Sequence, residues 1–127
     1  MIVGTGCDLV PVERLNAACQ RTPRLVERLF TAAEVQYASG SEGLIWDRLA
    51  GLFAAKEATL KALGTGMRGG AFRDIEVVHS DLGQPTLELH GTAAATAWRM
   101  GVGRWHVSIS HAGGFAMATV IAEREGL

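Results

Sequence analysis

Leu44–Gly70 reads LIWDRLAGLFAAKEATLKALGTGMRGG, an amphipathic helix running into a glycine-rich loop, and the rest of the chain is organised around it. With Phe53 at the centre of the apolar stripe and about 100° per residue, Leu60 falls roughly 20° to one side, Leu49 roughly 40° and Leu63 roughly 80°. Glu57 and Lys56 fall only about 40° and about 60° from that centre, amid the leucines. A buried charge without a partner is costly, so the pattern implies a partner for Glu57. That partner is a bound cation or, in the plainest case, Lys61, four residues on in the favourable order and worth only about 0.2–0.5 kcal/mol.

Working outward, Ile2–Cys7 is a short apolar strand punctuated by Gly4 and Gly6, and Asp8 closes it. Pro11 suits the first turn of a helix that carries Val12, Leu15 and Cys19 and stops near Gln20, before Thr22-Pro23. A second short helix carries Leu25, Val26 and Leu29, and Thr31 with Glu34 forms a capping box for a third segment. Beyond the glycine-rich loop the period changes. Ile75–His79 and Thr86–His90 read as a hairpin, Thr92 as the cap of an alanine-rich helix ending near Gly101, and Trp105–Ser110 and Phe115–Ala122 as two more strands. This order of elements predicts an α+β fold, a mainly antiparallel sheet packed with helices.

The 127 residues suit one domain, 1–127, with a sizeable core. A net charge of −1 argues against a nucleic-acid partner, which would call for a strongly basic face. No run of 18 apolar residues suggests a membrane span, and MIVGTGCD lacks the basic start and apolar run of a signal peptide, so a cytoplasmic location is expected. Cys7 and Cys19 fit no zinc spacing and are expected to be reduced core thiols.

Gly64-Thr65-Gly66-Met67-Arg68-Gly69 matches the letters GxGxxG but follows a helix instead of opening one, so it is not a dinucleotide fingerprint. Its amides can still cradle a phosphate, with Lys61 and Arg68 flanking. Ser110 and His111 are neighbours on a strand and point to opposite faces, which argues against a nucleophile and base. His79, His90 and His106 show no metal-ligand spacing with one another. Asp8 either caps the helix near Pro11 or joins Glu57 as a ligand of a hard cation.

Four stretches together resemble the holo-acyl-carrier-protein synthase family of small 4′-phosphopantetheinyl transferases: GTGCDLVPVERL with Asp8 and Arg14; FAAKEATLKALGTG with Lys56, Glu57 and Lys61; Gly83 with Pro85; and HVSISH ending at His111. The likeness implies transfer of 4′-phosphopantetheine from coenzyme A to a serine of an acyl carrier protein in fatty acid biosynthesis, releasing adenosine 3′,5′-bisphosphate. It implies Mg²⁺ held by Asp8 and Glu57, catalytic roles for Glu57 and Lys61, and coenzyme A contacts from Lys61, Gly64, Thr65, Gly66 and His111. It further implies a homotrimer with sites between protomers, and makes Arg14, Arg21 and Arg24, with Arg28, candidates for docking an acidic carrier. One departure stands out: many relatives read RFAAKEA where this chain has Leu52, expected at the helix rim, with Arg48 one turn earlier as a substitute. Leu52 also supports an alternative, a non-catalytic module that binds coenzyme A or a carrier protein.

Overall fold

The computed structural model describes residues 1–125. Strand β1 (Ile2–Pro11) leads into helices α1 (Val12–Arg21), α2 (Leu25–Leu29) and α3 (Ala32–Tyr37). A tight hairpin of two-residue strands, β2 (Ser39–Gly40) and β3 (Gly43–Leu44), precedes the long helix α4 (Trp46–Leu63). After two 3-10 turns, Gly66–Gly69 and Phe72–Asp74, come the hairpin β4 (Ile75–His79) and β5 (Pro85–Leu89), helix α5 (Gly91–Arg99), and the long hairpin β6 (Val102–Ala112) and β7 (Phe115–Arg124). β1, β7 and β6 form an antiparallel sheet with β7 in the middle. The expected α+β architecture is the one observed.

α4 lies on the inner face of that sheet, where Ala116, Ala118, Val120 and Ala122 alternate inward from β7. The helix is buried on nearly every side, through Leu49, Ala50, Leu52, Ala54, Ala55, Ala58, Leu60, Ala62 and Leu63, whereas Phe53, the expected centre of a stripe, is only half-buried. Small side chains explain the difference, because they let β1 come down directly onto the helix. A side chain at Gly4 or Gly6 would run into the carbonyl oxygens of Ala62 and Ala58, so this strand needs glycine for close approach. Gly64 ends α4 in the left-handed conformation at φ 74°.

Several local expectations change. β1 continues through Asp8 to Pro11, so Asp8 is a mid-strand residue paired with Ala118 and caps no helix. His90, not Thr92, occupies the N-cap position of α5. The Thr31–Glu34 capping box is present in full. Cys19 is buried, but Cys7 is exposed on the outer face of the sheet. Ile2, Leu9, Phe115 and Met117 are exposed large apolar residues of the same sheet, with Leu9 and Ser110 both paired with Met117.

Candidate functional site

At the C-terminal half of α4, the strand β1 brings Asp8 against the helix, and Asp8, Glu57 and Lys61 form one cluster. Lys61 Nζ donates to Asp8 Oδ1 at 2.9 Å and to the Cys7 carbonyl at 3.0 Å. The lysine therefore reaches across to the strand, not back along its own helix to Glu57. Burial, and next the Asp8 carboxylate, push the pKa of Glu57 up; the Lys61 charge opposes them. The hydrogen bond that Lys61 donates to Asp8 raises the pKa of Lys61, which remains mostly in solvent. A cleft of about 190 Å³ opens beside them, lined by Glu57, Leu60, Lys61, Gly66, Met67 and Phe72. Two close carboxylates beside open space are a donor set of the kind a hard divalent cation takes, and burial first, then the Asp8 charge, makes ionisation of Glu57 costly beside it.

The other end of α4 carries a second concavity of about 320 Å³, whose lining includes Tyr37, Asp47, Arg48, His79, Pro85 and His111. His79 stacks on Tyr37 with ring centroids 3.8 Å apart and planes 7° from parallel. Arg48 lies over the other part of that group, 5.2 Å from the Tyr37 ring, and donates to the Tyr37 carbonyl at 3.0 Å. His111 Nδ1 is 3.7 Å from Asp47. Burial, then the Arg48 charge, lower the pKa of His79. Here the Arg48 guanidinium, the His111 imidazole and a flat aromatic wall come together, a set suited to an anionic ring-bearing ligand.

These two concavities do not meet within one chain. Arg48 and Glu57 are nine positions apart on α4, hence about 14 Å along its axis and roughly 180° around it. Gly66 of the glycine loop shares the Glu57 cleft, while His111 belongs to the far one. Arg14, Arg21, Arg24 and Arg28 are all exposed, along α1 and at α2.

Leu52 is 1% exposed and packs in the core, yet it also lines the Arg48–His111 concavity, so it stands under the rim of that concavity and not in open solvent. Sequence reasoning also missed the role of Lys56, whose side chain is 0% exposed and pairs with an equally buried Glu34 at 2.7 Å. The signal was present, since Lys56 stood amid the leucines and Glu34 was assigned only to its cap. Tyr37 and His79 were missed because nothing local in the sequence links α3 to β4. Among the described residues, Glu76, Glu88 and His90 also gather possible ligand atoms within 4.8 Å of one another. His90 is already paired with Glu76 at 3.1 Å there.

The family model for the 4′-phosphopantetheinyl transferase superfamily matches residues 4–120. The chain is 48% identical over 124 residues to the holo-(acyl-carrier-protein) synthase of Salinispora arenicola, covering 98% of this chain and 100% of the relative. It superposes on the crystal structure of the holo-(acyl-carrier-protein) synthase of Neisseria meningitidis with a TM-score of 0.86 at 31% identity, covering 98% of this chain and 100% of that one. The enzyme of that name from Bacillus anthracis, in complex with CoA (3′,5′-ADP), is 35% identical with a TM-score of 0.78, covering 98% of this chain and 99% of that one.

Proposed function

The chain belongs to the 4′-phosphopantetheinyl transferase superfamily, and from that premise we propose that it transfers 4′-phosphopantetheine from coenzyme A to a serine of an apo acyl carrier protein of fatty acid synthesis. The observation that carries this reading is the Asp8–Glu57–Lys61 cluster at the mouth of the Gly66 cleft. The serine oxygen attacks the phosphorus that bears the pantetheine arm. The bond from that phosphorus to the bridging oxygen breaks, and adenosine 3′,5′-bisphosphate leaves. Glu57 accepts the serine proton, directly or through a water. Lys61, on a flexible and mostly exposed stem, offsets charge on the departing phosphate. Asp8 and Glu57 would hold Mg²⁺, which supplies charge neutralisation at the pyrophosphate. The amides of Thr65 and Gly66 are what this loop offers to phosphate oxygens, because the Gly64 amide already donates to the Leu60 and Lys61 carbonyls.

The nucleotide end of coenzyme A belongs in the Arg48–His111 concavity. A nucleoside bisphosphate carries both phosphates on one ribose, so it cannot reach from Glu57 to the far end and opposite side of the same α4. This supports a site completed by a second copy, and a homotrimer. The exposed apolar outer face of the sheet, with Leu9, Phe115 and Met117, is the kind of surface that a partner covers. The exposed arginines Arg14, Arg21 and Arg24 suit the acidic surface of a carrier, steering encounter and register. Among the described residues no helix is long and apolar enough to cross a membrane; a cytoplasmic location is part of the proposal.

The decisive experiment mixes the protein with coenzyme A, Mg²⁺ and an apo carrier protein, and weighs the carrier. Addition of one phosphopantetheine is expected, and a carrier of unchanged mass would overturn the reading. In the same assay Arg48→Ala is expected to raise KM for coenzyme A about tenfold with kcat little changed, the pattern of lost ground-state binding to a phosphate. An unchanged KM would remove Arg48 from the nucleotide site.

A further inference from the structure

Lys56 precedes Glu57 in sequence but turns the other way, into the core. Its Nζ donates to Glu34 Oε1 at 2.7 Å, to the Phe72 carbonyl at 2.9 Å and to the Ile75 carbonyl at 2.6 Å. An ammonium has three protons, and all three are used. Glu34 is as fully occupied: Oε1 also accepts from Thr31 N and Oε2 accepts from Val77 N, both at 2.9 Å. The pair thus links α3, α4 and the start of β4 at a point with no access to solvent.

Stability alone does not account for it. A buried ion pair is often no better than well-packed apolar residues of the same volume, because desolvation cancels the attraction. Apolar replacements, however, could not hold two backbone carbonyls. Those carbonyls mark the two ends of the Phe72–Ile75 turn, and the Phe72 ring projects from that turn onto Phe53, with centroids 5.2 Å apart. Phe72 also forms a wall of the cleft that holds Glu57 and Lys61, together with Leu60 and Met67. The tether from Lys56 therefore sets the distance between an apolar wall and the carboxylate and ammonium groups opposite it.

We propose that Lys56 is a positioning residue that fixes Phe72 against the apolar start of the phosphopantetheine arm. The proposal rests on the transferase reading above. The chemistry of the substrate fits the wall: a dimethyl-substituted carbon stands one carbon from the phosphate that Lys61 and the carboxylate pair address. With the phosphate there, the two methyl groups fall at the Phe72, Leu60 and Met67 side of the cleft. Adenosine 3′-phosphate 5′-diphosphate carries all three phosphates of coenzyme A and lacks only the pantetheine arm, so the two ligands separate this contact from the rest of the site.

The test is calorimetric binding of both ligands. Lys56→Met alone strands a buried Glu34 and is a poor probe, so the variant is Lys56→Met with Glu34→Gln, which removes both charges at similar volume. It is expected to fold, to lose about tenfold in affinity for coenzyme A, as befits two methyl groups no longer buried, and to bind adenosine 3′-phosphate 5′-diphosphate as the wild type does. Phe72→Ala is expected to give the same difference between the ligands by removing the wall directly. A folded double variant that binds coenzyme A normally, or that loses both ligands equally, overturns the proposal. Carrier modification by the wild type is scored separately, so a protein that binds both ligands and transfers nothing would sink the transferase reading while leaving the binding comparison intact.

Discussion

Glu57→Ala and Asp8→Ala are each expected to lower carrier modification by at least about a thousandfold, since each removes charge that acts on the reacting phosphates. The fold is expected to survive both changes. Burial and the neighbouring Asp8 raise the pKa of Glu57, so its ionised form opposes folding of the metal-free protein. The linkage has a definite sign: the contribution of Glu57 to stability is complete below its unfolded pKa and is lost as pH rises through the raised folded value. Glu57→Gln should therefore melt above the wild type at neutral pH without metal, and the gap should close in acid. Asp8→Ala also gives up the Lys61 pair, but with Lys61 so exposed that loss is small. Calorimetry at two pH values and the mass of the carrier check the two halves of this expectation. Near-wild-type transfer by either alanine variant would remove the carboxylate pair from the mechanism.

What was legible in the sequence was whatever is encoded over a few residues. The Thr31–Glu34 box, the Gly64 stop of α4 and the alternation of Trp105, Val107 and Ile109 are local, and each appears in the structure. The stripe on α4 was misjudged because its alanines carry as much of the packing as its leucines, and an apolar-moment argument weighs them lightly. A cap was one of the two readings of Asp8 because Pro11 announced a helix, yet the strand runs on to Pro11 itself, held by pairing to β7. Non-local facts were out of reach. Nothing near Lys56 in sequence announces Glu34, 22 residues away, and nothing near Tyr37 announces His79. The same holds for the separation of His111 from Glu57, which follows from the length and azimuth of one helix once its neighbours are known.

That separation leads to the second large effect. In a cyclic trimer every contact is heterologous, so the surface carrying Glu57 on one copy faces a different surface on the next. In the proposed trimer, chains bearing Glu57→Ala would lack the carboxylate half of each site, and chains bearing Arg48→Ala with His111→Ala would lack the nucleotide half. Each protein alone is expected to be nearly inactive at limiting coenzyme A. Co-expressed in equal amounts, they assemble at random, and each site draws one half from each of two neighbours. A site receives an intact Glu57 half and an intact Arg48–His111 half with a chance of one half each, so the mixture should regain about a quarter of wild-type transfer. Light scattering on the same sample should give about three chains per particle. A mixture as inactive as its parents would mean that each chain holds a whole site, and a stable active monomer would exclude the shared site outright.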